Sequence, residues 1–110
     1  MNKPFQDIAG LDRLVHEPAR LAVMTALEVC RDAEFLFLQR LTGLSKGNLS
    51  SHLAKLEEAG LVRIDKGYNG KIPHTRVALT ATGRNAVERH WKRLSELRGD
   101  AAAWSKKTRP

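Results

Sequence analysis

The chain has 110 residues, of which 42% are hydrophobic, enough for one domain with a single small core. Its 19 Lys and Arg against 12 Asp and Glu give a formal net charge of +7, and so basic a small domain indicates a polyanionic partner. The single cysteine excludes an internal disulfide and is typical of a reducing compartment. We find no apolar signal segment at the start, no membrane-spanning run, no lipidation motif and no continuous basic amphipathic helix, so we expect a cytoplasmic protein without a membrane partner.

The first part of the sequence predicts two helices. Apolar residues keep roughly helical spacing over residues 5–15, although Gly10 weakens this helix. Pro18 suits the first turn of a second helix, whose broad apolar side continues to about Cys30. At the end of that helix a lone cysteine is either a redox switch or a buried core residue, and we favour the core. Residues 35–41 are a short apolar run that periodicity alone assigns neither to a buried strand nor to a short helix.

The most informative stretch is residues 42–62, which predict a turn, a helix, a stop and the start of a strand. Gly43 suits a sharp turn, Ser45 an N-cap and Gly60 the position that follows a helix end. The intervening helix, about residues 45–59, has one apolar face formed by Leu49, Leu53 and Leu56. Together with a short helix over residues 35–41, this pattern predicts a helix-turn-helix.

The opposite face of this helix has short polar and basic side chains, and no acid precedes Glu57. Such a face is typical of a helix that enters the major groove of DNA, where small residues allow close approach and polar ones reach bases or phosphates. An ordinary surface helix would mix acids and bases at helical spacing. The candidate DNA-contacting residues here are Ser45, Lys46, Gly47, Asn48, Ser50, Ser51, His52 and Lys55.

Several of these residues have a second interpretation. Gly47 costs a helix about 1 kcal/mol, which indicates either close approach of the backbone to DNA or simply a loose first turn. For Asn48 we favour a base or phosphate contact over simple capping. Lys46 lies where the helix terminus attracts phosphate. His52 either reads a base or is solvated or packed. Lys55 contacts a phosphate or pairs with a nearby glutamate.

After Gly60 the period changes to that of a strand. Residues 61–66 and 75–79 predict a hairpin with a basic tip, and Pro73 suits an edge position beside its loop. Thr80 then caps a long helix over about residues 81–98. The expected fold is mainly α with a small β-hairpin, with residues 1–98 as the domain and residues 99–110 as a frayed basic tail.

The long helix carries an apolar stripe with two interpretations, formed by Val87, Trp91, Leu94 and Leu97. It either packs on its own domain or forms a dimer interface. We favour the dimer, because the stripe is more apolar surface than a small monomer leaves exposed.

Nothing in the sequence supports catalysis or a cofactor. There is no nucleophile motif and no glycine-rich phosphate loop, and the four histidines lack the spacing of a metal site. We therefore expect no enzyme activity, no cofactor and no metal. The alternatives to DNA regulation are a protein–protein interaction module and a non-specific nucleoid binder; an interaction module would show large exposed apolar residues on the helix over residues 45–59.

Three stretches, residues 11–24, 41–62 and 77–84, resemble the small MarR-like winged-helix transcriptional regulators of bacteria and archaea. The resemblance implies a winged helix-turn-helix whose recognition helix spans about residues 45–59. The chain departs from the usual pattern of this family at two places. Many relatives have an acid where Thr82 stands and two arginines where Lys71 and Ile72 stand.

The same resemblance implies a homodimer that binds a two-fold-symmetric operator on double-stranded DNA, and occlusion of polymerase makes a repressor the expected mode. It places Tyr68, Asn69 and Lys71 at the minor groove or backbone, with Lys66 and Arg76 near phosphates. Dimers of this kind pair through both their N-terminal and their C-terminal helices. The expected dimer interface therefore includes Leu11 as well as the apolar stripe of the C-terminal dimerisation helix. The sequence does not indicate which effector ligand, if any, the protein binds.

Overall fold

The computed structural model describes residues 3–107, with side chains described for residues 3–104. This part of the chain contains five helices and three strands: α1 (Lys3–Ala9), α2 (Pro18–Cys30), β1 (Asp32–Glu34), α3 (Phe35–Thr42), α4 (Lys46–Glu58), β2 (Val62–Asn69), β3 (Ile72–Leu79) and α5 (Ala81–Lys107). The expected mainly α winged helix-turn-helix with a long last helix is confirmed. The undecided segment over residues 35–41 is a helix, α3.

The core lies between α2, α3, α4 and one face of the sheet. Met24 and Leu27 of α2, Leu38 of α3 and Leu56 of α4 are fully buried in it. Burial of each such side chain is worth about 1.5–3 kcal/mol. These contacts therefore fix the angle at which α4 stands on the body of the protein.

The sheet is antiparallel and has the order β1-β3-β2. The sequence predicted only the hairpin of β2 and β3, so β1 is an addition, paired to β3 with Ala33 opposite Val77. Gly70, at φ +66°, forms the hairpin tip. Pro73 lies in β3 beyond the last residue paired with β1, so its missing N–H faces no neighbour there, as an edge position requires.

The first predicted helix was too long, because α1 ends at Ala9 and does not reach residue 15. The Gly10 amide donates to Gln6 O at 2.9 Å, and the chain then turns. Asp12 stabilises this turn, since its carboxylate accepts from the Leu14 amide at 2.9 Å. A short polar side chain that bonds nearby backbone in this way competes with helix formation.

The predicted end of the last helix near residue 98 was also wrong, because α5 continues to Lys107. Three consecutive alanines, residues 101–103, favour the helix strongly enough to outweigh Gly99. Trp104 packs edge-on against Phe5 with ring centroids 5.2 Å apart, which stabilises the extension. Residues 108–110 of the predicted tail lie outside the described residues.

Helix α1 and residues 93–107 of α5 form a two-helix projection that we call the terminal arm. Arg93 donates to Asp7 at 2.8 Å across it, in addition to the Phe5–Trp104 contact. The arm gives the protein a long dimension of 66 Å against 26 and 21 Å in the other two directions. None of the helices in residues 3–107 combines the length and apolarity needed to cross a bilayer.

Thr80 connects the end of α4 to the start of α5. Its hydroxyl accepts from the Gly83 amide at 3.0 Å, which confirms the predicted N-cap, and donates to Gly60 O at 2.6 Å. The Thr80 amide also donates to Leu61 O at 3.1 Å. The orientation of α5 is therefore tied directly to the residues that follow α4.

Two histidines join the connection between α1 and α2 to α5. His16 Nδ1 lies 2.9 Å from Nε2 of the buried His90, and their ring centroids are 5.0 Å apart. Burial lowers the pKa of His90, and the neighbouring His16 lowers it further, against a weaker opposing effect of Asp12. The fold thus favours neutral His90.

We expect this pair to make stability fall as the solution is acidified from pH 7.5 to 5.5. The pKa of His90 is below 6.5 in the fold and near 6.5 in the unfolded chain, so the unfolded chain binds more protons in this window. Urea unfolding of wild type and His90→Gln at both pH values measures the effect. The variant should lose less free energy of unfolding than wild type; an equal loss would contradict the assignment.

Candidate nucleic-acid interface

Local chain chemistry positions α4 as the sequence predicted. Gly43 adopts φ +72° at the end of α3 and its amide donates to Gln39 O at 3.0 Å. Ser45 caps α4, since its hydroxyl accepts from the Asn48 amide at 3.1 Å. Gly60 follows α4 at φ +78°, a left-handed conformation that suits glycine. The turn, cap and stop therefore set the ends of α4.

The outward face of α4 is exposed along its length. Of the residues predicted to contact DNA, the exposed ones on or beside α4 are Ser45, Lys46, Gly47, Asn48, Ser50, Ser51 and Lys55. Because Ser45 supplies the cap, capping does not account for Asn48. At Gly47 a Cβ would have no described atom within 4 Å, so packing inside the chain does not require glycine there.

A groove brings α4 and the hairpin together. Lys46 and Ser50 of α4 line it with Lys66 of β2 and Thr75 of β3, above a floor formed by Phe35, Leu53 and Ile64. Two cationic side chains from different elements thus border one surface depression. Such a site suits a phosphate of the DNA backbone, approached at the positive end of a helix.

The hairpin tip is open to solvent, as a contact with DNA requires. Tyr68, Asn69 and Lys71 are all exposed around the turn at Gly70. Ile72 is exposed beside them, so an apolar side chain follows the basic Lys71 at the tip. DNA contact by these three side chains stays a prediction.

Arg76, which was predicted to lie near phosphates, forms ion pairs with two acids of its own chain. Its guanidinium donates to Asp32 at 2.5 Å and lies 3.6 Å from Glu34, both on β1. The hydrogen bond to Asp32 and the charge of that carboxylate raise the pKa of Arg76. These ion pairs were not foreseen because the sequence did not predict β1, which supplies both acids. The Arg76 side chain stays 44% exposed, and its contact with a phosphate stays a prediction.

His52 is packed against α2, which was one of its two interpretations. Its Nδ1 lies 3.0 Å from Arg20 Nη1 and 3.6 Å from Glu17 Oε2. Glu17 caps α2 by accepting from the amides of Ala19 and Arg20 at 3.1 and 2.9 Å. Burial raises the pKa of Glu17, but the two amide hydrogen bonds and the neighbouring basic side chains of His52 and Arg20 together lower it, so the pKa lies below its ordinary value.

The predicted dimer stripe is divided by the structure. Val87 belongs to the core of its own chain, and Leu97 is also fully buried within the chain, so neither presents surface to a second copy. Leu11 and Leu94 are half-buried. Trp91 is 45% exposed, and its indole N–H donates to Thr25 Oγ1 at 3.0 Å. Periodicity alone does not separate a stripe that faces its own core from one that faces a partner.

The sequence reasoning missed an apolar groove between α2, α3 and α5. Its lining includes Leu21, Val29, Phe37, Leu41 and Trp91. Cys30 also borders it and is exposed, so the expectation of a buried cysteine was wrong. The sequence of α3 could have indicated this groove, because its eight residues carry more apolar side chains than a single buried face can hold.

Within the described residues no group of three or more potential ligands could hold a metal.

A helix-turn-helix followed by a basic two-stranded wing defines a protein of the winged-helix DNA-binding class. A family model described as a winged helix DNA-binding domain matches residues 19–97, and the chain belongs to this family. An uncharacterized protein of Methanocaldococcus jannaschii is 35% identical over 77 residues, which cover 70% of this chain and 80% of that one.

Solved structures show the same fold. A transcriptional regulator homologue from Pyrococcus horikoshii OT3 superposes with a TM-score of 0.81 at 29% identity, covering 90% of this chain and 97% of the other. A MarR-family transcriptional regulator from Silicibacter pomeroyi matches with a TM-score of 0.63 at 20% identity, covering 100% of this chain and 75% of that one. The chain is thus a winged-helix DNA-binding protein, and its fold is shared by solved transcriptional regulators, one of them of the MarR family.

Proposed function

We propose that the protein is a homodimeric, cytoplasmic repressor that binds an inverted-repeat operator. Helix α4 enters the major groove, and the wing contacts the adjacent minor groove or backbone. The observation that carries the proposal is the convergence of Lys46 and Lys66 on one groove beside the acid-free face of α4. A helix that binds protein would instead expose large apolar side chains.

The terminal arm and Trp91 supply the surface for a second copy. Phe5 and Ile8 are exposed on the arm, and Trp91 is exposed where the arm joins the body. Exposed aromatic and aliphatic side chains in this number are typical of an interface between subunits. A two-fold contact through this surface presents two α4 helices to one DNA duplex, with the half-buried Leu11 and Leu94 at its margin.

Repression follows from the size of such a complex. A dimer that covers two half-sites occludes polymerase by its presence alone, whereas activation requires a further contact surface. The two solved structures described above are a transcriptional regulator homologue and a transcriptional regulator.

The proposal is tested by selecting random-sequence DNA duplexes with the purified full chain at near-physiological salt, followed by sequencing. We expect enrichment of a short inverted repeat with half-sites about one helical turn apart. Salt-sensitive retention of all sequences alike would contradict sequence-specific regulation and favour a nucleoid-type role. No retention of DNA would favour a protein partner.

Lys46→Ala should weaken binding to every duplex and reduce the salt dependence of affinity. Loss of one phosphate contact lowers the slope of log affinity against log salt by about one for each protomer. Lys92→Ala, which removes the same charge from an exposed position on α5, is the control and should leave the slope at its wild-type value. Titrations at four salt concentrations measure it; equal slopes for both variants would place the interface elsewhere.

A further inference from the structure

Arg20 ties three separate segments of the chain together. Its Nε donates to Leu14 O at 2.7 Å and its Nη2 donates to Arg13 O at 3.3 Å, both in the connection before α2. Its Nη1 reaches across to α4 and lies 3.0 Å from His52 Nδ1. The Arg20 side chain is only 11% exposed, so its guanidinium group is held in place by neighbouring residues on several sides.

The contact with Arg20 decides where the proton of His52 lies. A guanidinium is always protonated and offers only hydrogen-bond donors. His52 Nδ1 must therefore be the acceptor, which leaves the proton of the neutral ring on Nε2. Glu17 does not reverse this, because its nearer oxygen is 3.6 Å from Nδ1, beyond hydrogen-bond range, and already accepts from the Arg20 amide.

We propose that Arg20 is a positioning residue that fixes His52 as the Nε2–H tautomer, so that the recognition helix offers DNA a hydrogen-bond donor at this position. The His52 side chain is 20% exposed, and the other outward-facing residues of its helix are polar and exposed to solvent. The group that fits such a donor is an acceptor. In the major groove these are N7 and O6 of guanine, N7 of adenine and O4 of thymine, and along the backbone a phosphate oxygen. The DNA part of this proposal rests on the function proposed above, whereas the tautomer does not.

The tautomer is tested without DNA, by long-range ¹H–¹⁵N correlation spectra of the ¹⁵N-labelled full chain at neutral pH. The His52 signals are identified by their absence from His52→Gln. We expect His52 to be protonated on Nε2 only. In Arg20→Met, which keeps an extended side chain but offers no donor, we expect a mixture of both neutral tautomers. A ring protonated on Nδ1 in the wild type, or no change in Arg20→Met, would overturn the role given to Arg20.

The donor role is tested by repeating the duplex selection with His52→Phe and His52→Gln. Phenylalanine keeps a planar ring without a donor, while the glutamine amide places an N–H near the position of Nε2. Loss of preference at one base pair per half-site in His52→Phe, restored in His52→Gln, would show a base acceptor. A uniform loss of affinity in His52→Phe, again restored in His52→Gln, would show a phosphate. Wild-type binding by His52→Phe would overturn the donor role, whereas an absence of any motif with wild type would count against the proposed function alone.

Discussion

Gly83→Ala is expected to destabilise the protein by about 3 kcal/mol or more, the upper part of the range for overpacked cores. Gly83 lies in the first turn of α5, where a Cβ would be 1.9 Å from Leu61 O and 2.8 Å from Leu61 C. These are backbone atoms next to β2, so the helix itself would have to move away. The gain in helix propensity, about 1 kcal/mol, does not offset this clash. Urea unfolding measures the change.

The matched control for this variant is Gly99→Ala in the same helix. A Cβ at Gly99 would meet no described atom within 4 Å, so only the helix propensity changes. We expect this variant to be more stable than wild type by up to about 1 kcal/mol. If Gly83→Ala unfolds at the same urea concentration as wild type, α5 does not pack on Leu61 as the structure has it.

Leu56→Ala is expected to lower the free energy of unfolding by about 2–5 kcal/mol, the range for truncation of a fully buried leucine. Leu56 is 0% exposed and holds the last turns of α4 on the core. Thermal or urea unfolding followed by circular dichroism gives the loss.

The control is the same leucine-to-alanine change at an exposed position of the helix-turn-helix. It shows whether the loss of stability comes from the burial of Leu56 or from removing any leucine. Leu36 of α3 is 61% exposed, so Leu36→Ala should change stability by no more than about 0.5 kcal/mol. Comparable losses for the two variants would mean that α3 and α4 are not oriented on the core as described.

The sequence predicts the helix-turn-helix well because its signals are local. Ser45 bonds an amide three residues away, and Gly43 and Gly60 need only their own left-handed conformation. The leucine spacing of α4 likewise requires nothing beyond one helix and an apolar surface to cover. The cap, stop and buried face of α4 were therefore all predicted from a window of about 20 residues.

The features that were missed depend on contacts distant in sequence. Strand β1 is three residues long and two of them are acidic, so only its pairing with β3 makes it a strand. The ion pair of Arg76 was not foreseen because its partner Asp32 lies 44 residues earlier. Similarly, neither the packing of His52 on Arg20 nor the burial of Leu97 within its own chain follows from helical periodicity.

The hydroxyl of Thr80, bonded on one side to Gly60 and on the other to Gly83, has a consequence for the proposed dimer. It joins each recognition helix rigidly to the helix through which the two copies would meet. In the proposed dimer the separation of the two recognition helices would then be fixed, and operators would be selected by length as well as by sequence. Each base pair inserted between half-sites turns one of them by about 35° around the duplex axis, out of reach of the second protomer.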